Sequence, residues 1–462
     1  MGDKMNEVAK QSALVSQMQA GWDLIDALLG GTVAMRAAGK AYMPQRLMEE
    51  GSDYAERLKC STLLPALAET IETMTGRAFY KPMADKDLPE FIKNEVWPDI
   101  DRQGTSAEVF AQAWFRQGAS FGLSHVLIDS PATVDVKTQA DQTAAKLRPY
   151  AILLHPSRVL GWLVNDRGEI EQLRVTFQRE ERGAFDVQLI EQIRVYEPSI
   201  VRVFEKVKQA DGKGEWAQVE EYATAYPGIP LVTFYTQRSG FMTADPPLRE
   251  LAHLNAKHWR QGSGLDDLVE TAMVPILAGI GLDDRQQITI GARSAINLPM
   301  GSDLKYIEHS GAAIGSGREH LHDIEDQMRK AGAKLLTPTS ATKTATQAGD
   351  DSARENSQLA GYIRKFEASF AMMLAVIARW RGQEAGGTVE LQPNLDPDPM
   401  PSESMNVLAK MVATGALSKA TLFAEAKRRG MISDAVQWDI EQTVIATEGP
   451  ATGTEAQEPE AP

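Results

Sequence analysis

The sequence predicts an α+β protein in which helical segments flank a long antiparallel β-rich module. Residues 149–237 alternate apolar and polar side chains, as in LRVTF and VRVFEKV, and a period of two is typical of half-buried strands. On both sides of this module apolar residues recur every three or four positions, which favours amphipathic helices. The 462 residues, of which 43% are apolar, suffice for about two to four domains.

Composition narrows the class of protein. The single cysteine, Cys60, excludes an intrachain disulfide framework and a multi-cysteine zinc site, which fits a reducing compartment. The net charge of -15 argues against a protein that grips nucleic acid by neutralising phosphates. The negative charge is compatible with a channel through which DNA slides, because an acidic wall with isolated cations binds DNA only weakly. The longest apolar run, residues 273–280, is too short to span a bilayer, and no signal-peptide pattern precedes it.

Three helices are predicted before the β-rich module, from apolar spacing and from the glycines that end them. They are residues 3–30 ended by Gly30 and Gly31, residues 61–75 ended by Gly76, and residues 105–117, which lead through Gly122 into the strand HVLIDS.

Two further long helices are predicted after the module and after the helix from Pro247 to Pro275. The sequences Ser316 to Glu319 and Ser352 to Glu355 match a capping box, in which the serine accepts a hydrogen bond from the amide three residues on. The second of these helices is expected to end at Gly382. A β-prone insertion, QITIGARSAINLPMGSDLKYIEHS, precedes the first capping box. Short helices with C-cap glycines and N-cap serines follow near the C-terminus.

A metal site is weighed on the stretch EHLHDIED, where His320 and His322 stand among carboxylates. Side chains two residues apart on a helix point about 200° away from each other, so the two histidines cannot close on one ion. His322 with Glu325 or Asp326 remains possible, but a solvated charged face is the preferred interpretation. No metal and no cofactor are therefore predicted.

A second polar cluster, LAHLNAKHW, holds His253, His258, Asn255 and Trp259. We interpret these side chains as buried hydrogen-bonding groups or subunit contacts, because no nucleophile stands near them in the sequence. The sequence also lacks the HExxH, GxSxG, GxxxxGK[ST] and CxxC patterns, so we predict that the protein is not an enzyme.

Several segments, in the same order, resemble the portal proteins of tailed bacteriophages, and specifically a portal-like family formerly of unknown function. The resemblance rests on the number and order of the segments, since none is a catalytic fingerprint. They span about residues 38–350 and read AGKAYMP, YAERLKCSTLLPALAETIETMTGRAFYKP, DIDRQGTSAEVFAQAWFRQGASFGLSHVLIDSP, LAHLNAKHWRQGSGLDD, and DIEDQMRKAGAKLL with TKTAT behind it. The later LAKMVATGALS looks like the helical end of many portals.

The resemblance implies a portal fold with a β-rich wing, a two-helix stem, a small β-containing clip and a short helical crown. The C-terminal part is short, so a large crown or barrel is not expected. The implied domains are residues 1–52 as an N-terminal helical arm, 53–245 as the wing, 246–282 as the first stem helix, 283–310 as the clip, 311–336 as the second stem helix, 337–351 as a tunnel loop, 352–400 as a long wing helix and returning strand, 401–446 as the crown and 447–462 as a disordered acidic tail.

The same resemblance implies a homo-oligomeric ring, usually of twelve subunits, at one capsid vertex of the virion. The ring would assemble in the host cytoplasm and form a channel for packaging and ejection of double-stranded DNA. Its implied partners are the large terminase, a head-tail adaptor, the major capsid protein and the passing DNA, contacted without sequence specificity, and no membrane is involved.

The residues implied for these contacts lie in three segments. TPTSATKTATQAGDD occupies the place of the tunnel loop, where one flexible cation among small polar side chains would touch phosphates without holding them. The expected DNA-channel residues are Lys343, Thr342, Thr344, Lys330 and Lys334. The expected partner-binding residues of the clip are Arg293, Asp303 and Lys305.

Two alternatives from other classes remain open. One is a cytosolic metal-dependent enzyme that uses His322, Glu325 and Asp326, which would be a monomer or dimer with chelator-sensitive activity. The other is a head-tail adaptor or structural ring protein without a channel function.

Overall fold

The fold was analysed in a computed structural model. It describes residues 7–130, 148–208, 214–224, 226–273, 276–281, 300–307, 312–332, 345–394, 401–428, 431–433 and 436–448. The chain forms two compact units, Met1–Leu395 and Asp396–Pro462. Helices and sheets are both present, which confirms the α+β class.

The first unit contains helices on both sides of a β-rich stretch. The helices are α1 (Ala13–Leu29), α2 (Gly31–Ala38), α3 (Gly51–Cys60), α4 (Ala66–Ala78), α5 (Ala107–Phe121), α6 (Arg249–Ala272), α7 (Ala312–Lys330) and α8 (Ala345–Trp380). Short 3-10 turns cover Gly39–Ala41 and Pro156–Arg158, and a π-helical turn covers Ile92–Val96.

The strands form antiparallel ladders throughout the described residues. They are β1 (Ala84–Lys86), β2 (Leu123–Asp129), β3 (Tyr150–Leu154), β4 (Val159–Val164), β5 (Ile170–Arg182), β6 (Val187–Glu197), β7 (Ile200–Lys208), β8 (Gly214–Ala223), β9 (Leu231–Tyr235), β10 (Arg238–Gly240), β11 (Thr243–Ala244), β12 (Ile276–Ile280), β13 (Asp303–Ile307) and β14 (Thr388–Glu390).

The predicted β-rich module is a five-stranded meander in the order β4-β5-β6-β7-β8, beside a three-stranded sheet in the order β3-β2-β9. A turn at residues 165–168 joins β4 to β5. Gly168 has φ 79°, and the Asn165 side chain accepts hydrogen bonds from the amides of Arg167 and Glu169. Strand β14 pairs with β1. It lies within residues 352–400, where a returning strand was expected after the long helix.

The main core lies between α5, α8 and the three-stranded sheet. Phe366 of α8 is fully buried, and its ring makes edge contacts with the rings of Trp114, Phe115 and Phe234. The apolar stripe of α8 is buried along Leu359, Ile363, Phe366, Phe370, Met373 and Ile377. A second cluster fills the space between the two sheets and includes Leu127, Leu154, Leu173, Val175 and Val201.

The first helix is shorter than predicted and packs into its own chain. Helix α1 begins at Ala13 because Ser12 accepts a hydrogen bond from the amide of Val15, which is a standard N-cap. Trp22 is 1% exposed, and its indole nitrogen donates to the carbonyl of Phe121 over 3.2 Å. Residues 13–29 are therefore part of the core.

The helix predicted at residues 61–75 is wrong at both ends. Residues 51–60 form α3, and α4 begins at Ala66, after Pro65, because a proline disfavours helical geometry at the residue before it. Gly76 does not end α4. The helix continues to Ala78, whose burial outweighs the modest helical cost of one glycine.

Both predicted capping boxes lie inside helices. Helix α7 begins at Ala312 and α8 at Ala345, so Ser316 and Ser352 are not N-caps. Two alanines precede each serine within its helix, and because alanine is a good helix former they favour the earlier start. Residues 345–351 of the expected tunnel loop are consequently helical, whereas residues 333–344 lie outside the described residues.

The first stem helix also ends earlier than expected. Helix α6 stops at Ala272, and residues 276–280 form β12, which pairs with β13 from Ile276 opposite Ile307 to Ile280 opposite Asp303. Proline lacks the amide hydrogen that a continuing helix needs, and the sequence has Pro275 between the two elements. The insertion thus begins before the predicted clip boundary at residue 283.

The second unit contains three short helices, α9 (Pro401–Ala413), α10 (Lys419–Arg428) and α11 (Trp438–Glu448). Gly415 has φ 73° just after α9, and Ser418 accepts a hydrogen bond from the amide of Thr421. The predicted combination of a C-cap glycine and an N-cap serine is therefore confirmed at residues 415–418. Helix α11 extends two residues past the expected end of the crown.

Substituting Gly122 by alanine is expected to destabilise the first unit by about 2–4 kcal/mol. Gly122 ends α5 with φ +87°, and an added Cβ would lie 2.4 Å from the carbonyl oxygen of Asp245. Chemical denaturation measures the change. The matched control is Gly76→Ala in α4, where a Cβ meets nothing within 4 Å and alanine should stabilise the helix. Equal effects of the two substitutions would contradict the assigned turn.

Candidate functional site

Helices α6 and α7 form an antiparallel pair. A Cβ on Gly332 would contact Leu248, the His258 imidazole approaches the Glu325 carboxylate, and a Cβ on Gly317 would contact Leu265. Residue numbers rise along α6 as they fall along α7, so the two helices run in opposite directions. The β12–β13 ribbon joins the far ends of the pair.

Only one half of the pair is anchored in the core. Helix α6 buries Leu251, Ala252, Asn255, Ala256, Trp259 and Ser263, and α7 buries Ile324 and Met328. Among the described residues 264–273 and 313–323, none is buried. The distal half of the pair and the ribbon therefore extend beyond the core.

Asn255 fixes the anchored half of α6 against the start of α4. Its side chain is fully buried, accepts a hydrogen bond from the amide of Leu67 over 3.1 Å, and donates to the carbonyl of Leu64 over 2.9 Å. The amide of Leu67 lies in the first turn of α4, where backbone amides lack partners within the helix, and Leu64 lies just before that helix. The interpretation of Asn255 as a buried hydrogen-bonding residue is confirmed.

Glu325 collects the polar contacts between α6 and α7. Its carboxylate lies 3.5 Å from the Nε2 of His258, 3.3 Å from the Nδ1 of His322 and 3.8 Å from Arg329. Burial lowers the pKa of His258, and the nearby carboxylate of Glu325 opposes this shift. Asp326 is paired with Arg329 rather than with His322.

This arrangement is a network of polar side chains that connects the two helices. In the part of the chain that the structure describes, no group of three or more His, Cys, Asp or Glu side chains is placed to hold a metal ion. The sequence placed His258 and Glu325 in separate clusters, because their contact joins helices 67 positions apart and has no local pattern.

A buried ion pair holds α3 near α6. The guanidinium of Arg57 contacts the carboxylate of Glu49 at 2.5 and 2.7 Å, and their side chains are only 5% and 6% exposed. Hydrogen bonds from Arg57 hold the pKa of Glu49 at about 2. Arg57 also lies 3.4 Å from the hydroxyl of Ser263 in α6. Sequence reasoning missed this cluster, since Glu49 precedes α3 and so shares no helical spacing with Arg57, and Ser263 is distant in the sequence.

The expected site residues lie in different parts of the pair. Asp303 and Lys305 form an exposed ion pair of 3.1 Å on β13, whereas Lys330 is exposed in the last turn of α7, at the anchored end. The structure therefore separates Lys330 from the ribbon. Arg293, Lys334, Thr342, Lys343 and Thr344 lie outside the described residues.

Comparison with known proteins gives one family match and several structural likenesses. Residues 247–381, from α6 to the end of α8, match the family described as Domain of unknown function (DUF4055). No curated protein matches the sequence. Across the described residues, no helix is long and apolar enough to cross a membrane.

Two solved structures of gene transfer agent particles are similar at low identity. A chain of the virion of the native particle is 15% identical with a TM-score of 0.44, and the alignment covers 79% of this chain and 89% of that chain. A chain of the neck of the empty particle, computed with C6 symmetry, is 14% identical with a TM-score of 0.44, and the alignment covers 77% and 88%.

Proposed function

We propose that this protein is the portal subunit of a phage-like particle, a ring at one capsid vertex through which double-stranded DNA is packaged and ejected. The observation that carries the proposal is the α6–α7 pair, which leaves the core and ends in a two-stranded ribbon. It is supported by the ordered segments that resemble portal proteins across about residues 38–350.

The distal half of this pair does not bury its apolar side chains within one chain. Leu265, Leu268, Val269 and Ile314 are only half-buried there, and a pair of helices alone cannot cover apolar residues on all sides. Pairs from neighbouring subunits would complete the packing. If one such contact is repeated around an axis, it forms a closed ring when the rotation between neighbouring subunits divides a full turn evenly.

The channel would be lined by weakly interacting side chains. The chain carries a net charge of -15, so DNA would slide past the wall with only isolated cations touching phosphates. We assign this contact to Lys343 with Thr342 and Thr344, and to Lys330 and Lys334 near the end of α7. The protein would make or break no bond, because a separate ATP-driven terminase would drive the DNA.

Partner docking would use the exposed ends of the subunit. The ribbon with Asp303 and Lys305, together with Arg293, would meet the large terminase and later a head-tail adaptor, since it lies at the distal end of the helix pair. The major capsid protein would contact the main body of the first unit. In this proposal the protein is a virion component that assembles in the host cytoplasm.

Light scattering of the purified full-length protein tests the proposed assembly. The proposal predicts a mass of about twelve chains that is unchanged by a chelator. A monomer or dimer at every concentration and salt, with a chelator-sensitive activity, would instead favour the enzyme with His322, Glu325 and Asp326. A ring whose loss leaves DNA filling of the capsid intact would favour the adaptor.

A further inference from the structure

Two cations on α6 lack partners in the described part of the chain. Arg249 pairs with Asp245 and Glu250, and Asp267 pairs with Arg46. Lys257 and Arg260 take part in no ion pair with any described residue, although Arg260 is exposed and Lys257 is half-buried. They are three residues apart, so they share one side of the helix. We call Lys257 and Arg260 the basic face.

Helix α7 carries two acidic residues that form no ion pair within the described part of the chain. Glu325 and Asp326 are engaged by His258, His322 and Arg329. Glu319 and Asp323 are exposed and form no ion pair within the residues that the structure describes. They are four residues apart and again share one side of a helix. We call Glu319 and Asp323 the acidic face.

The two faces lie at the same level along the helix pair. His258 is level with Glu325, and Leu265 is level with Gly317. Arg260, two residues after His258, is therefore level with Asp323, two residues before Glu325. The faces nevertheless make no ion pair with each other inside one chain, because Arg260 and Asp323 are each turned about 200° around their helix from the contact residues His258 and Glu325.

Each face is unfavourable in an isolated chain. Like charges one helical turn apart repel each other, and within the described residues no ion pair relieves that repulsion in either face. The nearest cation that follows the acidic face on its own helix is Arg329, six residues beyond Asp323, or about 9 Å along the axis, and it is engaged by Glu325 and Asp326. An opposite face on another molecule would relieve both repulsions at once.

We propose that the basic face of one subunit packs against the acidic face of the next subunit in the ring. The inference rests on the proposed ring and names its contact. The occupant is a second copy of this chain, because the charges are complementary and because rotation about an axis along the helices keeps both faces at the same level. Such a contact joins two different patches, which is the head-to-tail type that generates rings.

Charge reversal tests this contact. One variant carries Lys257→Glu and Arg260→Glu, and the other carries Glu319→Lys and Asp323→Lys. Each variant alone would place like charges across every interface, so half-assembly should need at least about tenfold more protein than for the wild type. An equimolar mixture of the two should assemble again, because each reversed face then meets an opposite charge. A chain with all four substitutions should also form rings.

Controls separate this inference from the proposed function. The variant Arg167→Glu with Arg182→Glu changes the net charge by the same amount as the first reversal, at exposed positions in the five-stranded sheet, and should assemble like the wild type. Thermal melting of each variant checks folding, and light scattering measures assembly. If the wild type forms rings and either reversal leaves them unchanged, the proposed contact between the two faces is wrong, but the proposed ring is not contradicted. A mixture that stays unassembled from folded variants also overturns the contact. A wild type that never forms rings overturns both.

Discussion

Replacing Phe366 by alanine is expected to lower the free energy of unfolding of the first unit by about 3–5 kcal/mol. The side chain is fully buried, and its ring centroid lies 5.3 Å from that of Trp114 and 5.1 Å from that of Phe234. Truncation leaves a cavity at the point where α8 meets α5 and the three-stranded sheet. Chemical denaturation followed by tryptophan fluorescence measures the loss, since Trp114 borders the cavity.

The matched control for this substitution is Met372→Ala on the same helix. Met372 is 59% exposed, so its truncation should change the stability by less than about 0.5 kcal/mol. Similar losses for Phe366→Ala and Met372→Ala would show that α8 does not bury the face described here.

Replacing Arg57 by alanine is expected to cost about 3 kcal/mol of stability, because it leaves the buried carboxylate of Glu49 without its partner. The pair connects α3 to the segment before it and lies beside Ser263 of α6. The loss would therefore loosen the anchored half of the helix pair. Thermal and chemical denaturation both measure this loss.

The pH dependence gives an independent test of the same pair. Glu49 has its pKa lowered to about 2 from its usual 4.5, so its ionised form is favoured by folding. The pair contributes stability above pH 4.5, and the contribution is lost as the pH falls towards 2. Glu49→Gln should flatten this part of the curve. Glu56→Gln, which removes an exposed ion pair with Lys59, should not, and equal curves for both variants would contradict the assigned role of Glu49.

The sequence predicted the elements whose patterns are local and repeated. The alternation from residue 149 onward led directly to the five-stranded meander, and the apolar stripe from Leu359 to Ile377 led to the buried face of α8. Both patterns extend over many residues, so tertiary contacts reinforce them rather than override them. The helix predicted from Pro247 to Pro275 agrees with α6 (Arg249–Ala272), whereas the stem helix implied by the resemblance extended too far, to residue 282.

Helix beginnings were harder to predict. The pattern S-x-x-E marks a cap only when the serine leaves helical geometry, and the alanines before Ser316 and Ser352 let each helix start earlier. The first helix was extended too far for a similar reason, since apolar spacing near Val8 does not show where Ser12 caps it.

The polar contacts of the candidate site have no sequence pattern. His258 and Glu325 are partners because the fold brings distant segments together. Glu49 and Arg57 are eight residues apart, but Glu49 lies before the start of α3, so no helical spacing relates them. The sequence identified His258 and Asn255 as polar residues on a helix, but it gave no partner for either. The DNA-channel and domain assignments stay predictions from the resemblance, with Lys343 at their centre.

Electron microscopy of the purified full-length protein tests the central proposal most directly. The account predicts closed rings with a central opening wide enough for duplex DNA, in which the α6–α7 pairs of neighbouring subunits stand side by side around the opening. Compact particles without an opening, at every protein and salt concentration, would contradict it.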